Sequence, residues 1–147
     1  MNVHLRRVTP ADVDTYVSLE KSRAGLKTYH ALTEPTEALQ QIKDSVNYFI
    51  LSDTTIVGSI SYKVLDANTA EIDGVVILPD HEGKGYAKAA LALLLNELKP
   101  FEHVFLMTHP MNPRSIHLYA GLGFTEAGRV ENYFGDGEPR LKFVLQR

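Results

Sequence analysis

The middle third of the chain constrains the fold most. There an apolar strand runs into a glycine turn and out into an apolar helix. The segment "AEIDGVVIL" (residues 70–78) starts half-polar and ends continuously apolar. That pattern marks a strand buried on both faces, although a buried helix segment has the same periodicity. Pro79 leads into "DHEGKGYA", with Gly83 and Gly85 one residue apart. Residues 84–99 are rich in Ala and Leu and stop before Pro100, which disfavours helix in the residue ahead of it. "HVFLMT" (103–108) follows as a second apolar strand. A strand, helix and strand in this order form a β-α-β unit.

The flanks extend that unit. "HLRRV" (4–8) reads as a first strand and residues 9–22 as a helix, with Thr9 as N-cap, Pro10 at the first position and Asp12 near the positive end. Residues 22–36 carry no clear period. Residues 36–45 read as a second helix with Leu39 and Ile42 turned inward. "NYFIL" and "TIVGSISYKV" form a hairpin, in which Ile56, Ile60, Tyr62 and Val64 alternate with Val57, Ser59, Ser61 and Lys63. "NPRSIHLYAGLGF" is a short helix capped by Asn112, with Pro113 first and Gly121 or Gly123 ending it. "GRVENYF" (128–134) and "RLKFVLQ" (140–146) close the chain as a hairpin around "GDGEP". The order β-α-α-β-β-β-α-β-α-β-β predicts an α/β sheet of mixed direction. With 147 residues and no linker or repeat, residues 1–147 are expected to form one domain.

Composition removes whole classes of function. A formal charge of −3 argues against a protein that binds nucleic acid by neutralising phosphates. The absence of Cys excludes disulfides, thiolate zinc sites and a cysteine nucleophile. No apolar leader follows Met1, and the longest apolar run, "AALALLL", is far short of a membrane span. A cytoplasmic protein is the expectation. The six histidines show no metal-ligand spacing, so no metal is expected; His109 has a minor claim as a proton relay.

The glycine turn rejects three nucleotide or metal motifs. A P-loop needs G-x-x-x-x-G-K-[ST], but no glycine stands five residues before Gly83, and Gly85 replaces the hydroxyl residue. A dinucleotide fingerprint places Lys88 where a third small residue belongs. H-E-x-x-H begins at His81 and Glu82 but meets Gly85 instead of a second His. Two readings are left: a helix N-terminus offering free N–H groups to an anion, with Lys84 and Lys88 nearby, or a tight turn that needs glycine for its backbone angles. The turn alone does not separate them.

A second constellation does. Asn112, Ser115 and Tyr119 fall at i, i+3 and i+7, so amide, hydroxyl and phenol share one stripe of a helix. Each residue is common singly, as a cap, a neutral surface residue or a core ring. Together, "LPDHEGKGYA" and "NPRSIHLYAGLGF" resemble the two motifs of the GNAT superfamily of N-acetyltransferases. The first is a strand, a proline and [Q/R]-x-x-G-x-[G/A] opening a helix. The second is an Asn, a small residue, a Tyr and then G-F, here ending at Gly123 and Phe124. The element order agrees over essentially the whole chain. One position departs: Glu82 stands where the family has Gln or Arg, and an acid beside a pyrophosphate is unfavourable unless only its backbone is used.

The resemblance implies a single-domain, mostly antiparallel sheet flanked by helices. It implies acetyl-CoA as cosubstrate and direct attack by a primary amine, carried by a small molecule or a peptide, in a ternary complex. The pyrophosphate would lie on Glu82, Gly83, Lys84, Gly85, Tyr86 and Ala87, and the pantetheine arm along Val75, Val76 and Ile77. Asn112 and Ser115 would line the coenzyme side. A backbone N–H of the strand would polarise the acetyl carbonyl. Tyr119 would be the general acid for the departing thiolate, the reference pKa values being roughly 10 and 8.5. The base is Glu71, with Asp73 on the same strand face as second candidate, or a water chain. A solvated polar strand start would look the same. Gly74 would mark a bulge that opens the sheet. Residues 23–35 and 131–140 would hold the acceptor, and a homodimer accords with family habit. A silent acyl-CoA sensor and a small interaction domain are the competing functional classes.

Overall fold

A computed structural model describes residues 2–145 and 147. The strands are β1 (Val3–Arg7), β2 (Val46–Ser52), β3 (Thr55–Asp66), β4 (Thr69–Ile77), β5 (His103–Thr108), β6 (Phe124–Val130) and β7 (Arg140–Leu145). The helices are α1 (Val13–Lys21), α2 (Pro35–Asp44), α3 (Tyr86–Glu97) and α4 (Pro113–Gly121). The strands form one sheet in the order β1-β2-β3-β4-β5-β7-β6. Among the described residues only β4 and β5 run parallel; the other neighbours are antiparallel. Element order and mixed sheet direction agree with the sequence reading.

One layer of core lies under α3. Ala90, Leu91, Leu94 and Leu98 are fully buried against Ile60, Tyr62, Ile72, Val104 and Leu106. Each leucine contributes roughly 1.5–3 kcal/mol relative to an exposed position. The opposite face is covered by α1 and α2, where Tyr16, Val17, Leu19, Ala38 and Ile42 pack on Phe49 and Leu51. Ile42 is inward as expected, but the fully buried Ala38 takes the central place and Leu39 is only half-buried. The first helix starts as a 3-10 turn over Pro10–Asp12. Asp12 Oδ2 accepts from the Thr9 N–H at 2.9 Å and its hydroxyl at 3.2 Å.

Bulges break the simple alternation expected of β3. The register slips between Ile50 and Leu51 opposite Gly58 and Ile56, leaving Val57 as the extra residue. Ile56 therefore packs in the α1/α2 layer while Ile60 and Tyr62 face α3. Residues 57–62 are all buried, because β3 is central and covered on both faces.

The last strands also differ from the sequence reading. The strand expected at 128–134 is β6, Phe124–Val130, and residues 131–139 form a long turn. Aromatic Tyr133 and Phe134 favour a strand by composition, but tertiary contacts take them out of the ladder. Tyr133 donates to Glu71 Oε2 at 2.9 Å, and Phe134 stacks on His30 with centroids 6.3 Å apart. Asn132, with φ 53°, starts the turn and accepts from the Gly137 N–H at 2.6 Å. Of the strand expected over 140–146, Gln146 lies outside the described residues.

Candidate active site

The site is built where β4 leaves β5. Their parallel pairing runs from Thr69↔His103 to Ile72↔Leu106 and ends there. Beyond that point β4 continues along β3 to Ile77, and β5 along β7 to Thr108, so the two strands splay. A bulge sets the splay: Ser61 pairs with Gly74 and Tyr62 with Ile72, leaving Asp73 as the inserted residue. A Cβ on Gly74 would sit 2.9 Å from Ser61 Oγ and 3.8 Å from the Tyr29 hydroxyl. Glycine lets the bulged backbone approach both groups.

A cavity of about 190 Å³ opens at this wedge. On its α4 side it is lined by Asn112, Ser115 and Tyr119, and between the strands by Asp73, Gly74, Val75, Met107 and Thr108. The helical stripe read from sequence therefore faces one space. Asn112 caps α4 by accepting from the Ser115 N–H at 3.3 Å, which fixes the helix start against the wedge. Tyr119 is buried, with its ring edge-on to Phe124 at 6.1 Å. Burial pushes its phenol up to about 12, against a smaller opposing hydrogen bond from Ser115. The hydroxyl thus keeps its proton across the physiological range.

The two carboxylates proposed from sequence part company. Asp73 lines the cavity and accepts from Ser61 Oγ at 2.6 Å, Ser45 Oγ at 2.9 Å and Gln41 Nε2 at 3.1 Å. Glu71 is buried outside the cavity lining, bonded to Tyr133. Burial raises its pKa most, and the Asp73 charge adds to the rise, while the Tyr133 bond and the nearby Lys63 and Lys142 pull the other way.

Of the segments expected to hold the acceptor, 23–35 lends Tyr29 to the lining and 131–140 lends Phe134 and Arg140; sequence reasoning missed Tyr16, Glu20 and Gln41. Tyr16, Glu20 and Tyr29 line the cavity together with Gln41, which bonds Asp73 directly. Glu20 is 1% exposed and accepts from the Tyr29 hydroxyl at 2.8 Å and the Leu32 N–H at 3.0 Å. Its pKa is raised, chiefly by burial and further by Asp73. Phe134 and the buried Arg140 close the third side, the guanidinium 5.0 Å above the ring and bonded to Asp136 Oδ2 at 2.9 Å. A buried acid on an amphipathic helix was a usable signal at Glu20; Tyr29 lies in the 23–35 segment expected at the acceptor, but no periodicity there singled it out.

The glycine turn lies at the outer end of the wedge. Gly83 and Gly85 have φ 74° and 85°, so both need the left-handed region. The first backbone bond into α3 runs from the Ala89 N–H to the Gly85 carbonyl at 3.1 Å. The N–H groups of residues 83–88 have no backbone acceptor among the described residues. Gly83, Lys84 and Gly85 are exposed, while Tyr86 packs on the core and reaches Ser52 Oγ at 3.3 Å. Val76 and Ile77 continue β4 toward this turn. Glu82 forms ion pairs with Arg23 and, at 3.4 Å, with Arg114. His109 is outside the cavity lining: it accepts from the Met111 N–H at 3.0 Å through Nδ1, so Nε2 carries the proton that bonds Glu138 at 2.7 Å.

The splayed β4/β5 pair, the glycine turn opening α3 and the tyrosine stripe on α4 are the structural counterparts of the two sequence motifs, carried by one mixed α/β sheet. The profile of the Acetyltransferase (GNAT) family matches residues 16–124, and the chain belongs to that family. A spermidine N(1)-acetyltransferase of Vibrio cholerae is 34% identical over 83 residues, covering 49% of this chain and 46% of that protein. The chain thus aligns with about half the length of this curated relative. A solved spermidine N-acetyltransferase variant from Vibrio cholerae superposes with TM-score 0.78 at 18% identity, covering 97% of this chain and 92% of that one. The ribosomal-protein-S18-alanine N-acetyltransferase of Escherichia coli gives TM-score 0.81 at 21% identity, covering 98% and 93%. These likenesses establish the shared fold. No helix among the described residues is long and apolar enough to cross a membrane.

Proposed function

We propose that this chain transfers the acetyl group of acetyl-CoA to a primary amine by direct attack in a ternary complex. The observation that carries the reading is the cavity at the β4/β5 splay, lined both by the Tyr119 stripe and by the carboxylates of Asp73 and the buried Glu20. The pyrophosphate docks on the unpaired N–H groups of the turn that includes Glu82, Gly83, Lys84, Gly85, Tyr86 and Ala87. The pantetheine arm runs along the β4 edge at Val75, Val76 and Ile77, which among the described residues has no strand partner on the β5 side. Asn112 and Ser115 line the coenzyme side of the cavity.

Tyr119 protonates the departing sulfur. A phenol raised to about 12 is a weak acid, so it donates a hydrogen bond first and yields its proton as the C–S bond breaks. Of the strand carboxylates, Asp73 is placed to meet an ammonium in the cavity, and Glu71 acts from behind Tyr133. The relative that acetylates spermidine supports an amine acceptor. The protein works in the cytoplasm, and a homodimer is compatible with its exposed β6 edge.

The test has two parts. Acetyl-CoA is expected to raise the melting temperature, and thiol release is expected with at least one member of a panel of amines, polyamines, amino acids and peptide N-termini. No stabilisation at millimolar acetyl-CoA sinks the proposal. Stabilisation without turnover of any amine replaces the transferase with a silent acyl-CoA sensor.

A further inference from the structure

Acetyl transfer to an ammonium group releases one proton, and the cavity decides which group can take it. Glu71 stands outside the lining, its Oε2 held by Tyr133. Asp73 faces the cavity but is already committed to Ser61, Ser45 and Gln41, all neutral donors that position it. Glu20 differs from both. It lines the cavity, is 1% exposed and has no cationic partner in any ion pair among the described residues. Its Oε2 accepts the Tyr29 hydroxyl at 2.8 Å. That hydroxyl stands 3.8 Å from where a Cβ on Gly74 would be, at the bulge where β4 parts from β5. The Tyr29 hydroxyl thus stands between the point of splay and a buried carboxylate.

We infer that Glu20 is the base of this reaction and that Tyr29 relays the proton to it. The inference rests on the acetyl-transfer reading and reassigns its base from the strand to the end of α1. The ammonium gives one proton to the Tyr29 oxygen as the Tyr29 O–H proton passes to Glu20. The neutral amine then attacks the thioester carbon: the C–N bond forms, the C–S bond breaks, and sulfur takes the Tyr119 proton. The second proton lost from nitrogen restores Tyr119, and Glu20 returns its proton to solvent. One amide, one thiol and one proton result.

The surroundings favour this role. Glu20 is faced by Tyr16 on its own helix, Tyr29 on the loop and Asp73 on β4, with His30 and Arg140 across the same cavity. Burial and the Asp73 charge lift Glu20 above the ordinary carboxylate range, the direction a base working near neutral pH needs. Asp73 then holds the incoming ammonium rather than deprotonating it.

The test is the pH dependence of kcat/KM for wild type, Glu20→Gln, Tyr29→Phe, Asp73→Asn and Glu71→Gln, with acetyl-CoA affinity measured in parallel by calorimetry. Glu20→Gln and Tyr29→Phe are expected to lower kcat about 100-fold, with acetyl-CoA affinity retained. Glu20→Gln is expected to abolish the acid limb, the rise of rate as the base loses its proton. Asp73→Asn and Glu71→Gln should keep that limb, with Asp73→Asn raising KM for the amine. An acid limb that survives in Glu20→Gln, or disappears in Asp73→Asn or Glu71→Gln, overturns the assignment while leaving acetyl transfer intact. A wild type that releases no thiol with any amine overturns both. Should Glu20→Gln fail to fold, Tyr29→Phe decides: wild-type kcat in that variant rules out the relay.

Discussion

Arg114 Nη1 lies 3.4 Å from Glu82 Oε2, and Arg23 holds the other carboxylate oxygen of the same residue. The acid that departs from the family pattern is therefore neutralised by two cations brought from α4 and from the end of α1. Arg23 also donates to the Ile77 carbonyl, fixing it at the end of β4. A Cβ on Gly83 would stand 3.3 Å from Arg114 Nη2, so one guanidinium rests directly on the glycine turn.

This arrangement gives two variants of opposite sign. Arg114→Ala removes the cation over the turn and should weaken acetyl-CoA binding about three- to tenfold at low salt, less at high salt because Arg114 is exposed. Glu82→Gln keeps a hydrogen-bond acceptor but removes the like charge, and should tighten binding about twofold. Calorimetric titration with acetyl-CoA at two salt concentrations measures both. Equal affinities for all three proteins would place the pyrophosphate elsewhere.

Two glycines of the sheet should respond differently to a methyl group. A Cβ at Gly58 would lie 2.1 Å from the Val76 carbonyl oxygen, a backbone atom with nowhere to go. Gly58→Ala should cost about 3 kcal/mol in urea unfolding, as overpacking of a central strand does. At Gly74 the close neighbour is Ser61 Oγ, a side chain that can rotate away from Asp73. Gly74→Ala should cost only about 1 kcal/mol but raise KM for the amine severalfold, because Asp73 loses one of its holders.

The sequence shows this architecture clearly because its signals are local. Glycines at 83 and 85, prolines at 10, 79, 100 and 113 and the Asn112 cap each act within a few residues, and the elements they bound are where expected. The Asn112–Ser115–Tyr119 stripe is legible for the same reason, since helical spacing alone puts the three on one face. What was not legible depends on contacts distant in the chain. The bulge at Val57 reverses which face Ile56 and Ile60 share, and no periodicity within β3 reveals it. Tyr133 leaves the last hairpin for Glu71, 62 positions away in sequence. Glu20 and Tyr29 become site residues only when the unpatterned loop after α1 folds back over the β4 bulge.

Tyr119→Phe separates binding from chemistry. The ring and its edge-on contact with Phe124 are preserved, so the melting temperature and acetyl-CoA affinity should stay near wild type. Only the hydroxyl donor to the sulfur is lost, and kcat should fall about 100-fold. Stopped-flow or steady-state thiol release reads the effect. Unchanged kcat would remove Tyr119 from the chemistry and leave it a core ring.

Glu71 predicts a pH dependence of stability. It is buried with its pKa raised, and its charged neighbours are Asp73, Lys63 and Lys142, with Tyr133 donating to it. A carboxyl whose folded pKa exceeds its unfolded value binds more protons in the native state between the two values. Stability is then lost as pH rises from the unfolded pKa through the folded one. Glu71→Gln has no proton to lose and keeps an acceptor for Tyr133. Relative to wild type it should gain stability steadily as pH rises across that window and hold the gain at neutral pH. Urea unfolding at closely spaced pH values from about 4 to about 8 follows the difference. A variant that becomes less stable relative to wild type with rising pH would mean that Lys63 and Lys142 outweigh burial at this carboxylate.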